Sequence, residues 1–240
     1  MELTSLGLYN QAIILFAALV LFTSFAMLAQ PRIVQLIFTF AWQGLLLAVV
    51  TALVAVVSGH THLYISAALT VLLKVLLIPW LLYRLSVRLK MNYEAEAIGS
   101  PSLLLLSGAG LVMFSYFIAV PIVHLSGLAT RNTIAVSIAV ELLGMLIMIT
   151  RKTAMAQVIG FMSMENGLFF AAVVSTYGMP LIVELGVAFD VMVASILFGV
   201  FFFHLRDSFD SLDVSHLNRL SEADEPMPDT AATEAPGERP

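Results

Sequence analysis

The amino-acid sequence predicts an all-α, polytopic membrane protein with seven transmembrane helices, the N-terminus outside and the C-terminus in the cytoplasm. Three observations lead to this prediction: the composition, the length of the apolar runs and the distribution of basic residues between them. Of the 240 residues, 60% are hydrophobic and 11% are charged. A soluble domain typically has about 25% charged residues, so we expect most of this chain to lie in lipid.

Seven apolar runs approach or exceed the length needed to cross a bilayer, which is about 20 residues for a helix. They are Leu6–Ala29, Ile33–Val57, Leu63–Leu85, Ser102–His124, Thr133–Ile149, Ala154–Thr176 and Leu181–His204. Prolines, glycines and polar residues separate the runs, for example Pro31 and Gly59. The fifth run is the shortest, and we expect its helix to be tilted little or to be sheltered by neighbouring helices.

Basic residues lie almost entirely on one side of the predicted membrane domain. With seven spans, one side collects Arg32, Arg84, Arg88, Lys90, Arg151, Lys152 and Arg206, whereas the other side collects only Arg131. The positive-inside rule assigns the basic side to the cytoplasm. Without the fifth span, Arg206 would lie outside, so the seven-span arrangement fits the basic residues better.

The chain divides into a transmembrane domain over residues 1–206 and an acidic tail over residues 221–240. The tail is rich in Asp, Glu, Pro and Thr, a composition typical of disordered segments. It accounts for much of the net charge of −5, which argues against nucleic-acid binding. Residues 212–220 keep an apolar pattern, which fits equally a segment that docks on a cytoplasmic partner and a short surface turn.

Four ionisable side chains lie near the middle of apolar runs: Lys74, Glu141, Glu165 and Asp190. A charge at the centre of a membrane helix costs roughly 2.5–3.5 kcal/mol, so four unpaired charges would cost about 10–14 kcal/mol. Ionisable groups at this depth typically mark ion or proton paths. We therefore predict a proton path through these four residues. Glu184, near the outer end of the seventh run, is either an entry group for this path or an ordinary interfacial residue.

Small or helix-breaking residues accompany each buried charge. Pro79 follows Lys74 by about one helical turn, and a proline there removes a backbone donor and favours a kink. The small residues are Gly160 and Gly167 around Glu165, Gly186 and Ala194 around Asp190, and Ser137 and Gly144 around Glu141. Such residues let helices approach closely, so a purely structural role for the charges, holding helices together, is the alternative to a proton path.

The sequence predicts no catalytic, cofactor or metal site. The chain has no Cys, which excludes a thiolate zinc site and a Cys-ligated iron–sulfur cluster. The five His lie at span ends, in loops or in the tail, without the i, i+4 spacing of a helical metal site. We find no glycine-rich phosphate loop and no Ser/His/Asp constellation, so a stand-alone enzyme is not expected.

Several motifs resemble component E of hydrogenase-4 and its relatives, which are membrane subunits of group 4 nickel–iron hydrogenase and formate hydrogenlyase-type complexes. The motifs are Met164-Glu165-Asn166-Gly167, Val183-Glu184-Leu185-Gly186 with Asp190, Leu212-Asp213-Val214 and Lys74-Val-Leu-Leu-Ile-Pro79. The resemblance extends over most of the chain to about Leu220. Residues 151–220 are also similar to the K subunit of complex I, in which two consecutive helices each carry a buried glutamate. The first glutamate matches Glu165 and the second matches Asp190, where this chain has Asp.

The resemblance implies a non-catalytic subunit of an oxidoreductase complex in a bacterial or archaeal cell membrane. Glu165 and Asp190 would relay protons, and Lys74 would set the proton affinity of the carboxylates. Glu141, which is predicted from its depth and its small neighbours and not from the resemblance, would extend the row. The implied partners are antiporter-like and quinone-site-module-like membrane subunits, with cytoplasmic nickel–iron hydrogenase-like and iron–sulfur subunits. Two alternatives stay open: a structural or assembly subunit, and a small subunit of a multisubunit cation/proton antiporter.

Overall fold

The computed structural model describes residues 2–59, 62–88, 100–120, 128–176, 186, 188–197 and 199–200. The helices are α1 (Glu2–Ala29), α2 (Ile33–Ser58), α3 (His62–Thr70), α4 (Ile78–Arg88), α5 (Pro101–Ala119), α6 (Leu128–Thr150) and α7 (Ala154–Thr176). A further helix, α8, is described over Ala188–Leu197. These helices belong to one compact unit over residues 1–198, and a second unit begins at Gly199.

Within the described residues, six helical stretches are long and apolar enough to cross a membrane. They are Gln11–Ala29, Ile33–Ser58, Leu63–Val87, Pro101–Ala119, Thr133–Thr150 and Ala154–Ser175. They coincide with the first six predicted runs, so the all-α prediction is confirmed. The seventh predicted run is described only in part, where α8 forms a shorter apolar helix. The orientation of the chain stays a prediction, and the acidic tail lies outside the described residues.

The helix that contains the fifth span begins before the apolar run that predicted it. Helix α6 begins at Leu128 and has 23 residues, about 35 Å at 1.5 Å per residue. That length is enough for the hydrocarbon layer of about 30 Å. The run looked short because Arg131 and Asn132 interrupt the hydrophobicity although the helix continues through them.

A π-helical turn interrupts the third span. The π segment (Val71–Leu77) joins α3 to α4, and the N–H of Ile78 donates to the carbonyl of Leu73, five residues earlier. Pro79 follows at once and has no N–H to donate. The sequence indicated a proline-linked distortion here, and the structure shows that it is a widened turn with Lys74 in its middle. Such π turns are frequent at functional sites.

Helices α6 and α7 are in backbone contact along a line of glycines. A Cβ added at Gly144 would lie 2.5 Å from the backbone nitrogen of Met164, and one at Gly160 would lie 2.8 Å from that of Met148. On the same interface, a Cβ at Gly167 would lie 2.8 Å from the backbone nitrogen of Glu141. Only glycine fits at these positions, so the small residues predicted to favour close helix approach do so between these two helices.

Arg151 connects the turn between α6 and α7 to the end of α1. Its Nη2 donates to the carbonyl oxygens of Leu28 at 2.9 Å and Gln30 at 2.7 Å. The last carbonyls of a helix have no partner within the helix, and a cation there also interacts favourably with the helix dipole. Arg151 therefore caps α1 from a distant part of the chain.

We expect Arg151→Ala to lower the free energy of unfolding by about 2 kcal/mol, since hydrogen bonds to a charged donor are lost and buried carbonyls stay unpaired. Thermal denaturation of the detergent-solubilised protein measures this. Lys152→Ala is the matched control, because Lys152 is exposed, and a surface change usually stays within about 0.5 kcal/mol. Equal effects of the two substitutions would contradict the capping role.

Candidate functional site: a buried charge cluster

Three of the predicted charges meet inside the helical unit. Lys74 comes from the π segment, Glu165 from α7 and Asp190 from α8, and their exposed fractions are 1%, 8% and 3%. Asn166 of α7 and Gln43 of α2, both fully buried, complete the polar group. We call these five residues the charge cluster. The sequence predicted the first three as charges at similar depth, and the structure brings them together.

The ammonium of Lys74 interacts with three polar side chains of this cluster. It donates to Glu165 Oε2 in a buried ion pair and to Asn166 Oδ1 at 2.7 Å. Asp190 Oδ1 lies 3.5 Å from the same nitrogen. The ring of Phe169 covers the ammonium from another side, with its centroid 5.4 Å from Nζ, a geometry that adds a cation–π attraction. Lysine carries three N–H donors. Two of them are used in the hydrogen bonds to Glu165 and Asn166, whereas Asp190 interacts with the ammonium as an ion pair without a hydrogen bond.

Neutral side chains hold Asn166 in place behind the ion pairs. Asn166 Nδ2 donates to Gln43 Oε1 at 3.0 Å. Gln43 Nε2 in turn donates to Ser24 Oγ at 2.8 Å and to Ser163 Oγ at 3.0 Å. This chain of hydrogen bonds links α1, α2 and α7 and keeps the amide oxygen of Asn166 directed at Lys74.

Gly44 allows the π segment to lie close to α2. A Cβ added at Gly44 would come within 3.2 Å of the Cβ of Lys74. That distance is tighter than ordinary van der Waals contact, so a side chain at position 44 would require Lys74 or its backbone to shift by a few tenths of an ångström. Gly44 therefore allows close contact between α2 and the π segment at Lys74.

Two carboxylate oxygens in the cluster are open for a further partner. Glu165 Oε1 and Asp190 Oδ1 are buried and accept no hydrogen bond from the described residues. Glu165 Oε1 faces Gly186, where an added Cβ would lie 3.4 Å away. A cavity of about 240 Å³ adjoins Glu165 there, with walls that include Leu168, Phe169 and Phe189. Chemically, the cluster offers one cation, two carboxylates and two oxygens that can accept a proton.

The other two residues predicted for the proton path, Glu141 and Glu184, are not part of this cluster in the described structure. Glu141 is half-buried on α6, with its Cγ 2.9 Å from a Cβ added at Gly167. In the described part of the chain, Glu141 forms no hydrogen bond or ion pair with the charge cluster. Glu184 lies outside the described residues. A continuous row that includes these two carboxylates therefore stays a prediction.

The hydrogen bonds that connect Asn166, Gln43, Ser24 and Ser163 were not predicted from the sequence. Gln43 and Ser24 were not predicted as site residues. A glutamine in the middle of the apolar run Ile33–Val57 nevertheless indicates a buried polar contact. A buried amide needs partners in a membrane as much as a charge does. Among the described residues, no group of three or more His, Cys, Asp or Glu is arranged to hold a metal ion.

Two groups of known proteins are similar to this chain. It is 34% identical over 181 residues to the uncharacterized protein Rv0085 of Mycobacterium tuberculosis, a match over 75% of this chain and 82% of that protein. It is 25% identical over 181 residues to hydrogenase-4 component E of Escherichia coli K12, over 75% of this chain and 84% of that protein. The hydrogenase-4 component E of Shigella flexneri matches to the same extent. No protein-family model matches the chain. No solved structure matches it.

Proposed function

Since the chain belongs to the family that includes Rv0085 and hydrogenase-4 component E, we propose that it is an integral membrane subunit of a hydrogenase-related, complex I-like assembly. In this assembly it contributes buried charges to a proton-translocation path, while partner subunits carry out the redox chemistry. The observation that carries the proposal is the contact of one buried lysine with two buried carboxylates, Glu165 and Asp190.

The charge cluster has one positive and two negative groups when all three are ionised. An excess charge is costly in a low-dielectric interior, so a proton bound to either carboxylate makes the cluster neutral. If that proton sits on Asp190, Lys74 pairs with Glu165, and if it sits on Glu165, Lys74 pairs with Asp190. The ammonium lies within 3.5 Å of Asp190 and in direct contact with Glu165, so exchange between the two states takes only a small movement.

The neutral residues of the site limit the exchange to the two carboxylate partners of Lys74. Asn166, held by its partner Gln43, anchors Lys74 by a hydrogen bond of 2.7 Å. Neither amide titrates, so this anchor does not itself take up or release the proton. Only the carboxylate partner of the lysine then changes with the position of the proton. A charge change in a partner subunit shifts the balance between the two states, which couples redox chemistry to proton movement. Glu141 and Glu184 would extend the path on either side.

Asp190 provides a test that separates acidity from size. We expect Asp190→Asn to lower the rate of proton translocation by about a hundredfold or more, the lower end of what positioned proton-transfer groups contribute. Asp190→Glu keeps the acid and should retain most of the activity. The measurement is proton uptake into liposomes that contain the purified complex, driven by its own redox substrates.

The structural alternative predicts a different outcome for the same two variants. If the charges only hold helices together, Asp190→Asn keeps the complex active once assembled, and its loss appears as subunits released from the membrane fraction. Full translocation by an intact Asp190→Asn complex would contradict the relay role of this residue.

Membership in the assembly is tested by the proteins that co-purify with the chain in mild detergent. We expect a nickel–iron hydrogenase-like large subunit and iron–sulfur subunits, together with antiporter-like membrane subunits. Recovery of antiporter-like subunits alone, with sodium-dependent activity and no redox partner, would contradict the proposal and favour a cation/proton antiporter.

A further inference from the structure

An apolar groove runs along the outer side of the third span, where it faces α2. Its walls include Phe38 and Ala41 from α2, Leu76 from the π segment, and Trp80 and Tyr83 from α4, and its volume is about 690 Å³. Large parts of the lining side chains are exposed, with 59% for Phe38, 57% for Leu76 and 49% for Trp80. We call this feature the α2–α4 groove.

The dimensions of the α2–α4 groove match one leaflet of a bilayer. On the third span its lining extends from Leu72 to Tyr83, which is about 16 Å at 1.5 Å per residue. The hydrocarbon layer is about 30 Å thick, so the groove covers about half of it. A transmembrane helix of a partner subunit would contact the whole length of the span, whereas a lipid acyl chain occupies one leaflet.

Basic side chains lie at one end of the groove. The guanidinium of Arg84 stacks over the ring of Trp80, with Cζ 5.3 Å from the ring centroid. Arg32 directly precedes α2, which runs antiparallel to α4, and therefore lies at the same end of the two helices. Both arginines are exposed, and neither forms an ion pair with a carboxylate of the described residues. An anionic group at this end would supply the missing counter-charge.

We propose that the α2–α4 groove binds a phospholipid with an anionic head group. One acyl chain fills the apolar groove, and the phosphate lies at Arg84, on the side predicted to be cytoplasmic. Basic pockets between membrane helices on that side are suited to anionic head groups. The stacking on Trp80 holds the planar guanidinium in place and leaves its edge free for phosphate oxygens.

The bound lipid would also pack against the π segment on the side opposite the charge cluster. The π segment contributes Leu76 to the groove and Lys74 to the charge cluster, so its two sides face the lipid and the carboxylates. The lipid site itself rests on the groove and the two arginines alone. It does not depend on the proposed function, and its failure would leave the relay unaffected.

Native mass spectrometry of the full-length chain tests the site. The purified, delipidated protein is mixed with phosphatidylglycerol or with phosphatidylcholine of the same acyl chains. We expect phosphatidylglycerol to be retained about fivefold more than phosphatidylcholine, the ratio that about 1 kcal/mol for the single contact with Arg84 gives. Arg84→Ala should remove this preference, and Ala41→Trp, which fills the groove, should lower retention of both lipids.

Lys152→Ala is the matched control, since it removes an exposed basic residue outside the groove. It should keep the wild-type preference. Equal retention of the two lipids by the wild type, or unchanged retention by both Arg84→Ala and Ala41→Trp, would overturn the proposal. So would cross-linking of Leu76→Cys to another protein in native membranes. Since the chain has no other cysteine, any thiol cross-link that this variant forms involves position 76.

Discussion

Replacing Lys74 by methionine is expected to destabilise the protein by about 3–5 kcal/mol, the cost of removing one partner from a buried ion pair. Methionine has a similar length but no charge, so Glu165 and Asp190 would both lose their cation. They can then remain buried only by taking up protons or by admitting water. Thermal denaturation of the purified protein in detergent measures the loss, and proton translocation by the complex should fall as well.

The double substitution Lys74→Met with Glu165→Gln is the control for this prediction. It removes a cation and an anion together. Most of the stability should return, because Glu165 is no longer an unpaired carboxylate and Asp190 is neutral when it holds the single proton of the cluster. Translocation should not return, since the titratable pair is gone. A single Lys74→Met variant as stable as the wild type would contradict the ion-pair account of the charge cluster.

Replacing Gly144 by valine is expected to separate α6 from α7. The first added carbon would lie 2.5 Å from the backbone nitrogen and 2.8 Å from the Cα of Met164, and backbone atoms cannot turn aside as side chains do. We expect a loss in the free energy of unfolding at or above the usual overpacking cost of about 1–3 kcal/mol. Because Met164 precedes Glu165, the same displacement should move the carboxylate away from Lys74 and lower proton translocation.

Gly110→Ala is the matched control for this prediction. Gly110 also lies within an apolar helix, α5, but no heavy atom lies within 4 Å of a Cβ added there. Its substitution should leave stability unchanged or raise it slightly, since alanine favours helix by up to about 1 kcal/mol over glycine. A Gly144→Val variant with the stability of this control would show that the α6–α7 contact is not as close as the structure indicates.

Lys74, Glu165 and Asp190 could be predicted from the sequence because the cost of a charge in an apolar run is a local property. Six spans were predictable for the same reason, since length and hydrophobicity decide whether a helix can cross a bilayer. The small residues Gly144, Gly160 and Gly167 indicated close packing, but the sequence did not specify that α6 and α7 pack against each other.

Other parts of the site depend on contacts between distant residues, which no local pattern shows. Gln43 and Asn166 are 123 positions apart and meet only because α2 and α7 are neighbours. The π segment is a property of the backbone hydrogen bonds around Lys74, and proline alone does not distinguish a π turn from a kink. Glu141 lies in the middle of an apolar run, as the other three charges do. Its position next to Gly167 depends on the packing of α6 against α7, which the sequence does not show.

The central claim is that a proton on the carboxylates of the charge cluster is transferred when the complex turns over. Its most direct test is the number of protons translocated per electron pair by the purified complex in liposomes, for the wild type and for Glu165→Gln. Glutamine keeps the size and polarity of the side chain but cannot carry the proton. The account predicts that this ratio falls in an intact Glu165→Gln complex, because the protons that pass through the charge cluster are lost. An unchanged ratio would contradict it.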